Sequence, residues 1–170
     1  MKLTYKFVII VKQIKGGEKM NLLCISHNAY WSDFMRFKEM NKNCEIDCFG
    51  SFNAVNPRRA INYDNYDAIV CFSPNYDNGW ELEEMVKLAE QISKEKGKRV
   101  TVGFSCFIPP EERTKKDLFY KVEIVNVDGD KKQYETSKKE YNDFNVEIFL
   151  DEVIKKYNDN PKIKVKVKTK

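Results

Sequence analysis

The sequence predicts an α/β domain built on an open, mostly parallel β-sheet. Short apolar runs without helical periodicity alternate with amphipathic stretches from about residue 20 to residue 110. This alternation is typical of right-handed β-α-β crossovers, in which successive strands of one sheet run parallel. A chain of 170 residues is also long enough to bury the core of one such domain.

Apolar spacing and turn residues define the elements of the first half. The run Asn21–Ser26 reads as a buried strand, and Phe34, Phe37 and Met40 share one side of the helix that follows it. In chain order the predicted elements are strand Asn21–Ser26, helix Tyr30–Met40, strand Cys44–Phe49, short helix Pro57–Ile61 and strand Asp67–Phe72.

The second half begins with an amphipathic helix that reaches about Lys96 and ends at Gly97. The elements predicted after it are strand Val100–Phe104, a hairpin of Leu118–Val127 and Lys131–Thr136, helix Val146–Tyr157, and a lysine-rich edge strand at Lys162–Lys168. The predicted fold is therefore a flavodoxin-like open parallel sheet over residues 20–110. Residues 111–170 form an extension packed on the same domain.

Residues 1–19 are predicted to lie outside this domain. The codons of Lys15–Met20 can read AAA GGA GGT GAA AAA ATG, which contains a bacterial ribosome-binding site before a start codon. We therefore expect Met20 to be the true start and the preceding residues to be translated leader, in a bacterial or phage source. The apolar run Phe7–Val11 is too short for a membrane span and lacks the cleavage site of a signal peptide.

Charge and cysteine content exclude several classes of protein. The net charge is +4, but Lys162–Lys170 alone hold five lysines, which leaves 4 − 5 = −1 for the rest. A nucleic-acid binder normally carries a basic face across the folded domain, so nucleic acid is an unlikely partner. Five cysteines cannot form a complete disulfide framework, and one histidine with Cys44 and Cys48 gives no zinc pattern. We expect a reduced, cytoplasmic protein without a metal.

Polar residues follow each predicted strand and should converge, because ligands of open α/β sheets bind outside the carboxyl ends of the strands. These residues are Ser26, His27 and Asn28, then Gly50, Ser51 and Asn53, then Ser73, Asn75, Tyr76 and Asp77, and finally Ser105 and Cys106. The sequence contains neither a G-x-G-x-x-G motif nor a Walker loop, so dinucleotide and P-loop sites of the usual kinds are unsupported.

The segments Ile69–Tyr76 and Trp80–Met85 resemble the central box of Toll/interleukin-1 receptor (TIR) domains, which has an apolar strand, Ser-Pro-x-Tyr and then Trp-x-x-x-Glu-Leu. Cys24–His27 resembles the first box of that family. The resemblance implies an enzyme that consumes NAD as its substrate, a glycosidase or cyclase of a bacterial or phage conflict system. It places the family's catalytic glutamate, which would stabilise the ribosyl cation, on Glu84, its tryptophan on Trp80 and its first-box serine on Ser26. We expect Ser26 and Trp80 to bind the substrate together with the neighbouring His27, Asn75 and Tyr76.

A second resemblance falls on the same stretch. Asp77-Asn78-Gly79 followed by Glu83 is similar to the Asp-x-Gly-x-x-x-Glu pattern of nucleoside deoxyribosyltransferases. In that family's scheme Glu83 would be the nucleophile and Asp77 its helper. A purine or pyrimidine leaves as an anion unless it is protonated, so this reaction needs a second acidic group. Nicotinamide leaves NAD as a neutral molecule, and one ionised carboxylate can stabilise the sugar cation.

Plainer explanations of the same residues stay open. Carboxylates in a first helical turn are favoured by the helix dipole, and Asp77 or Asn78 can cap that helix. The non-enzymatic alternative is a catalytically inactive TIR-like module. Such a module would bind a nucleotide, or associate with itself or with partners. In every case we expect a nucleotide or nucleoside ligand, no cofactor and no membrane.

Overall fold

A computed structural model of the chain describes residues 19–26, 31–49, 66–73, 79–112, 118–140 and 145–159. The described elements are β1 (Met20–Ser26), α1 (Trp31–Met40), β2 (Cys44–Phe49), β3 (Ala68–Ser73), α2 (Gly79–Lys96), β4 (Val100–Phe107), β5 (Leu118–Asp128), β6 (Lys131–Glu140) and α3 (Val146–Asp159). A short 3-10 turn, Pro110–Glu112, follows β4. The fold is an α/β sandwich of the flavodoxin-like type.

The strands form one mixed sheet in the order β2-β1-β3-β4-β5-β6. The four strands β2, β1, β3 and β4 are parallel, as the alternating pattern predicts. β5 pairs antiparallel with β4, and β6 pairs antiparallel with β5. The hairpin therefore extends the parallel sheet from β4 onwards.

Most predicted boundaries agree with the structure to within one or two residues, and two strands are longer than predicted. β4 continues to Phe107, because Ser105, Cys106 and Phe107 pair with Val122, Lys121 and Tyr120 of β5. β6 continues to Glu140 although its side chains are mostly exposed, because its pairing with β5 and not an apolar pattern defines it. The predicted leader apart from its last residue, the helix Pro57–Ile61 and the strand Lys162–Lys168 lie outside the described residues.

Two hydrophobic layers cover the two faces of the sheet. α1 and α3 pack on one face, with Phe34 and Phe37 of α1 and Phe149 of α3 in the same buried cluster. α2 packs on the other face through Met85 and Ala89. Met85, Val86, Ala89 and Ile92 of α2 are buried, as the helical spacing predicts, and Ser93 is buried beside them. Gly97 ends the helix with a φ of 60°. No described helix is both long and apolar enough to cross a bilayer.

Candidate functional site

The sheet has a topological switch point between β1 and β3. β1 connects to β2 through α1 on one face of the sheet, whereas β3 connects to β4 through α2 on the other face. In open α/β sheets, a crevice at such a point opens outside the carboxyl ends of the two strands and is the usual ligand site. Here β1 ends at Ser26 and β3 ends at Ser73, and α2 begins at Gly79. We refer to this edge as the β1/β3 crevice.

Glu81 lies in the first turn of α2, and Glu83 and Glu84 lie in the second. Successive residues of a helix are separated by 100°, so Glu81, Glu83 and Glu84 cannot all face the sheet. Glu83 is exposed, and Glu81 and Glu84 are partly buried. The contacts of the three glutamates therefore indicate which of them could reach a ligand at the β1/β3 crevice.

Glu84 forms an ion pair on the surface of α2. Lys87 Nζ donates a hydrogen bond to Glu84 Oε1 at 2.7 Å, and the Glu84 side chain is 45% exposed. The contact raises the pKa of Lys87, through the hydrogen bond first and the charge of Glu84 second. Ion pairs between exposed side chains contribute little to stability, because water and salt screen their charges. The carboxylate of Glu84 can therefore exchange its lysine for another cationic partner at little cost.

Glu81 reaches back onto the sheet. Its Oε2 accepts a hydrogen bond from the Cys71 thiol, with 3.7 Å between the sulfur and the oxygen. Cys71 lies two residues before the end of β3 and pairs with Ile25 of β1, so this contact sits beside the crevice. Burial raises the pKa of the Cys71 thiol well above its ordinary value, and the charge of Glu81 raises it further. The thiol therefore stays protonated and donates its hydrogen to the carboxylate.

The sequence patterns did not single out Glu81, although helical geometry contains a signal for it. Glu81 precedes buried Met85 by one turn and partly buried Leu88 by two, which places it at the border of the apolar face. A carboxylate on that border can touch the sheet while its neighbours face solvent. Neither family pattern points to Glu81, because the two patterns place the catalytic carboxylate at Glu84 or at Glu83.

The remaining candidates are placed only in part. Ser26 is the last residue of β1 and Trp80 the second residue of α2, as predicted, and their side chains are not among those described. The four other candidates lie outside the described residues: His27, Asn75, Tyr76 and Asp77.

Cys106 on β4 is a second thiol on the α2 face of the sheet. It is 8% exposed, and burial raises its pKa to about 11. Burial opposes formation of its thiolate, so Cys106 is a poor nucleophile at neutral pH. No group of three or more His, Cys, Asp or Glu side chains among the described residues could hold a metal ion.

Comparisons with known proteins leave the family open. The sequence matches no established family profile. No curated protein matches it either. Among solved structures, the sugar N-methyltransferase KedS8 from Streptoalloteichus sp ATCC 53650 matches with 8% identity and a TM-score of 0.25. The match covers 71% of this chain and 64% of the methyltransferase chain.

Proposed function

We propose that the protein binds a nucleotide at the β1/β3 crevice and cleaves the nicotinamide–ribose bond of NAD. The observation that supports this most is the start of α2, a helix that follows β3 at the switch point of a flavodoxin-like sheet and carries Glu81, Glu83 and Glu84 in its first two turns. The TIR-like sequence around Ser73 and Trp80 falls on the same edge. We further propose that the protein acts in the cytoplasm as part of a bacterial or phage conflict system.

The chemistry requires one well-placed carboxylate. The nicotinamide of NAD is a pyridinium cation, so when the C1′–N bond breaks both bonding electrons leave with the ring and nicotinamide departs neutral. The positive charge passes to the ribose, where a nearby carboxylate stabilises it. Water then attacks C1′ and loses a proton, which gives ADP-ribose; attack by a group of the same molecule gives a cyclic product.

Glu84 is the proposed cation-stabilising carboxylate. The TIR-like pattern gives this role to the residue four places after Trp80. The weak pair with Lys87 suits the role, because the carboxylate can turn at little cost from the lysine to the positively charged ribosyl centre. Trp80 or Tyr76 would stack on the base, and Ser26, His27 and Asn75 would contact ribose or phosphate.

A nucleoside deoxyribosyltransferase-like enzyme is the second candidate. Its nucleophile would be Glu83 and its helper Asp77. The exposure of Glu83 favours it less, because a nucleophile must face the sugar in a site from which water is largely excluded. A non-catalytic nucleotide-binding or self-associating module is the third candidate and needs none of the three glutamates.

Nicotinamide release from NAD tests the proposal. The purified 170-residue chain is incubated with NAD at low and high protein concentration, because assembly can complete such a site. The wild-type protein should release nicotinamide, and Glu84→Gln should lower kcat about 100-fold or more, as expected for loss of one charge-stabilising group. Glu83→Gln is the matched control and should stay within about threefold of wild type.

Three results would contradict this assignment. Release that survives Glu84→Gln would remove Glu84 from the reaction. Activity on deoxynucleosides that is lost with Glu83→Gln would establish the second candidate instead. Binding of nucleotide without turnover of either substrate class would leave the non-catalytic module.

A further inference from the structure

We infer that the outer edge of β6 is an interaction surface for a second copy of this chain. The two β6 strands pair antiparallel around a twofold axis at Thr136, so that the two sheets join into one. This association goes beyond the proposed function and does not depend on it. The strands of the two copies run in opposite directions in such a dimer, so each β1/β3 crevice stays open in its own copy.

β6 has an open edge along its whole length. It is the outermost strand on its side of the sheet, within the residues that the structure describes, and it is ten residues long. Its pairing with β5 uses the backbone N–H and C=O groups on one side of the strand. The groups on the other side point away from the sheet and form a template for another strand. α2 and α3 pack mainly on β3, β4 and β5, so the helix layers lie behind this edge.

β6 is held in place before it meets a partner. Three ion pairs connect it to the helices on both faces of the sheet: Lys132–Glu90 on α2, and Glu135–Lys156 and Lys139–Glu152 on α3. A strand that is already ordered loses less conformational entropy when it associates. The edge therefore offers a preformed surface.

Alternate residues of β6 lie on the same side of the sheet as α2. The ion pair with α2 places Lys132 on this side. Because side chains alternate along a strand, the same side also carries Tyr134, Thr136, Lys138 and Glu140. Tyr134 is 56% exposed, so a large ring on this side is available to a partner.

A twofold axis through Thr136 matches opposite charges. Around such an axis, residues equally distant from Thr136 lie opposite each other, with their side chains on the same side of the joined sheet. Lys132 then faces Glu140 of the second copy, and Tyr134 faces Lys138 of the second copy. By symmetry each contact forms at both ends. The first is a cross-strand ion pair, and the second is a cation–π contact.

The lysines of β6 exclude the neighbouring register. An axis through Glu135 would place Lys132 opposite Lys138 and Lys131 opposite Lys139, and Glu135 would meet its own copy. Like charges directly opposite each other destabilise strand pairing. Lysines on an edge strand commonly prevent pairing for this reason, and here they prevent it in one register and favour it in the other.

The association is measured by sedimentation velocity or light scattering on the full 170-residue chain. A single strand pair is smaller than a standard protein interface, so we expect a Kd on the order of 10–100 µM. The average mass should rise with protein concentration from 20.1 kDa towards twice that value and not beyond it, because a twofold contact closes on itself.

Charge reversal at the opposed positions tests the register. Lys132→Glu places a carboxylate opposite Glu140 of the second copy, and Glu140→Lys places an ammonium group opposite Lys132. Each variant alone should dimerise about tenfold or more weakly than wild type. An equimolar mixture of the two variants should recover a Kd within about threefold of wild type, because an acid again faces a lysine at both ends of the mixed dimer.

The mixture separates the interface from effects within one copy. Loss of the contact between Lys132 and Glu90 is the same in Lys132→Glu alone and in the mixture, so it cannot produce the recovery. Lys42→Glu is the matched control. Lys42 is exposed, lies directly before β2 at the opposite edge of the sheet and gives the same change in net charge, so this variant should dimerise like wild type.

Four results would overturn the inference. A chain that stays monomeric over the whole concentration range has no such surface. A dimer that is unchanged in both β6 variants uses another surface. Weakening in both variants without recovery in the mixture would show that the two positions do not oppose each other. Tighter association of Lys132→Glu alone would favour the axis at Glu135. Nicotinamide release is a separate measurement, so the enzyme and the dimer stand or fall independently.

Discussion

Gly103 determines how closely α3 can pack on the sheet. A Cβ atom at this position of β4 would lie 2.5 Å from Val153 Cγ2 and 3.2 Å from Phe149 Cζ, both on α3. Distances this short between carbon atoms are repulsive, so only a glycine fits beneath the helix. In the sequence this residue appears as an ordinary member of an apolar run. The steric requirement arises only from the position of α3.

Gly103→Ala should destabilise the protein by about 1–3 kcal/mol, the usual cost of an extra carbon in a packed core. Chemical unfolding followed by circular dichroism gives the free energy of unfolding. Val153→Ala removes the methyl group that the new Cβ atom would meet. The double variant Gly103→Ala/Val153→Ala should therefore be more stable than the sum of the two single effects predicts. Strictly additive effects would show that the two positions are not in contact.

Asp67, directly before β3, connects several elements at the amino-terminal edge of the sheet through hydrogen bonds. Its Oδ2 accepts a hydrogen bond from the backbone N–H of Asn21 at 2.9 Å. Its Oδ1 lies 3.3 Å from both Lys98 Nζ and the Tyr157 hydroxyl, which donate to it. One half-buried carboxylate therefore connects β1, the start of β4 and the end of α3. This edge is opposite the β1/β3 crevice.

Asp67→Ala should lower the free energy of unfolding by about 2 kcal/mol, because it leaves several donors without their acceptor in a partly buried place. Asp130→Ala is the matched control. Asp130 also pairs with a lysine, Lys94, but its side chain is 85% exposed, and its removal should cost less than about 0.5 kcal/mol. Equal effects of the two substitutions in thermal or chemical unfolding would argue against a connecting role for Asp67.

Across the whole molecule, burial controls the reactivity of the thiols. Cys24, Cys44, Cys71 and Cys106 are buried and are not in disulfide bonds. Burial is the first cause of a raised pKa at three of them, to about 12 at Cys44, about 11 at Cys106 and well above the ordinary value at Cys71. Because the thiolate is the reactive form, a higher pKa means less thiolate at any given pH.

Alkylation of the native protein should accordingly be slow at these three positions. At pH 8 a thiol of pKa about 11 has on the order of 100-fold less thiolate than one of pKa 9.0, and raising the pH should accelerate labelling of Cys106 up to about pH 11. Iodoacetamide labelling with peptide mass spectrometry measures each site separately. The protein unfolded in guanidinium chloride is the control and should label quickly at all of them. Fast native labelling of Cys71 would contradict its burial beneath α2.

Local sequence patterns are sufficient for most of the described elements. β1 and β3 are short apolar runs, β2 alternates apolar and charged residues, and the apolar positions of α2 recur at the helical period. Each of these patterns can be recognised from its own residues alone. The longer course of β4 and β6 was not predictable in this way. Their ends are held by cross-strand pairing, for example between Phe107 and Tyr120, and pairing partners are not visible in a local pattern.

The candidate site divides in the same way between sequence and tertiary structure. The succession of a strand, a polar segment and a helix start with three carboxylates can be predicted from the sequence, because it depends only on neighbouring residues. Only the tertiary structure decided that Glu81 contacts the sheet, that Glu84 pairs with Lys87 and that Glu83 faces solvent. The rotation of α2 about its axis sets these directions, and that rotation is fixed by the packing of Met85 and Ala89 against strands distant in the chain.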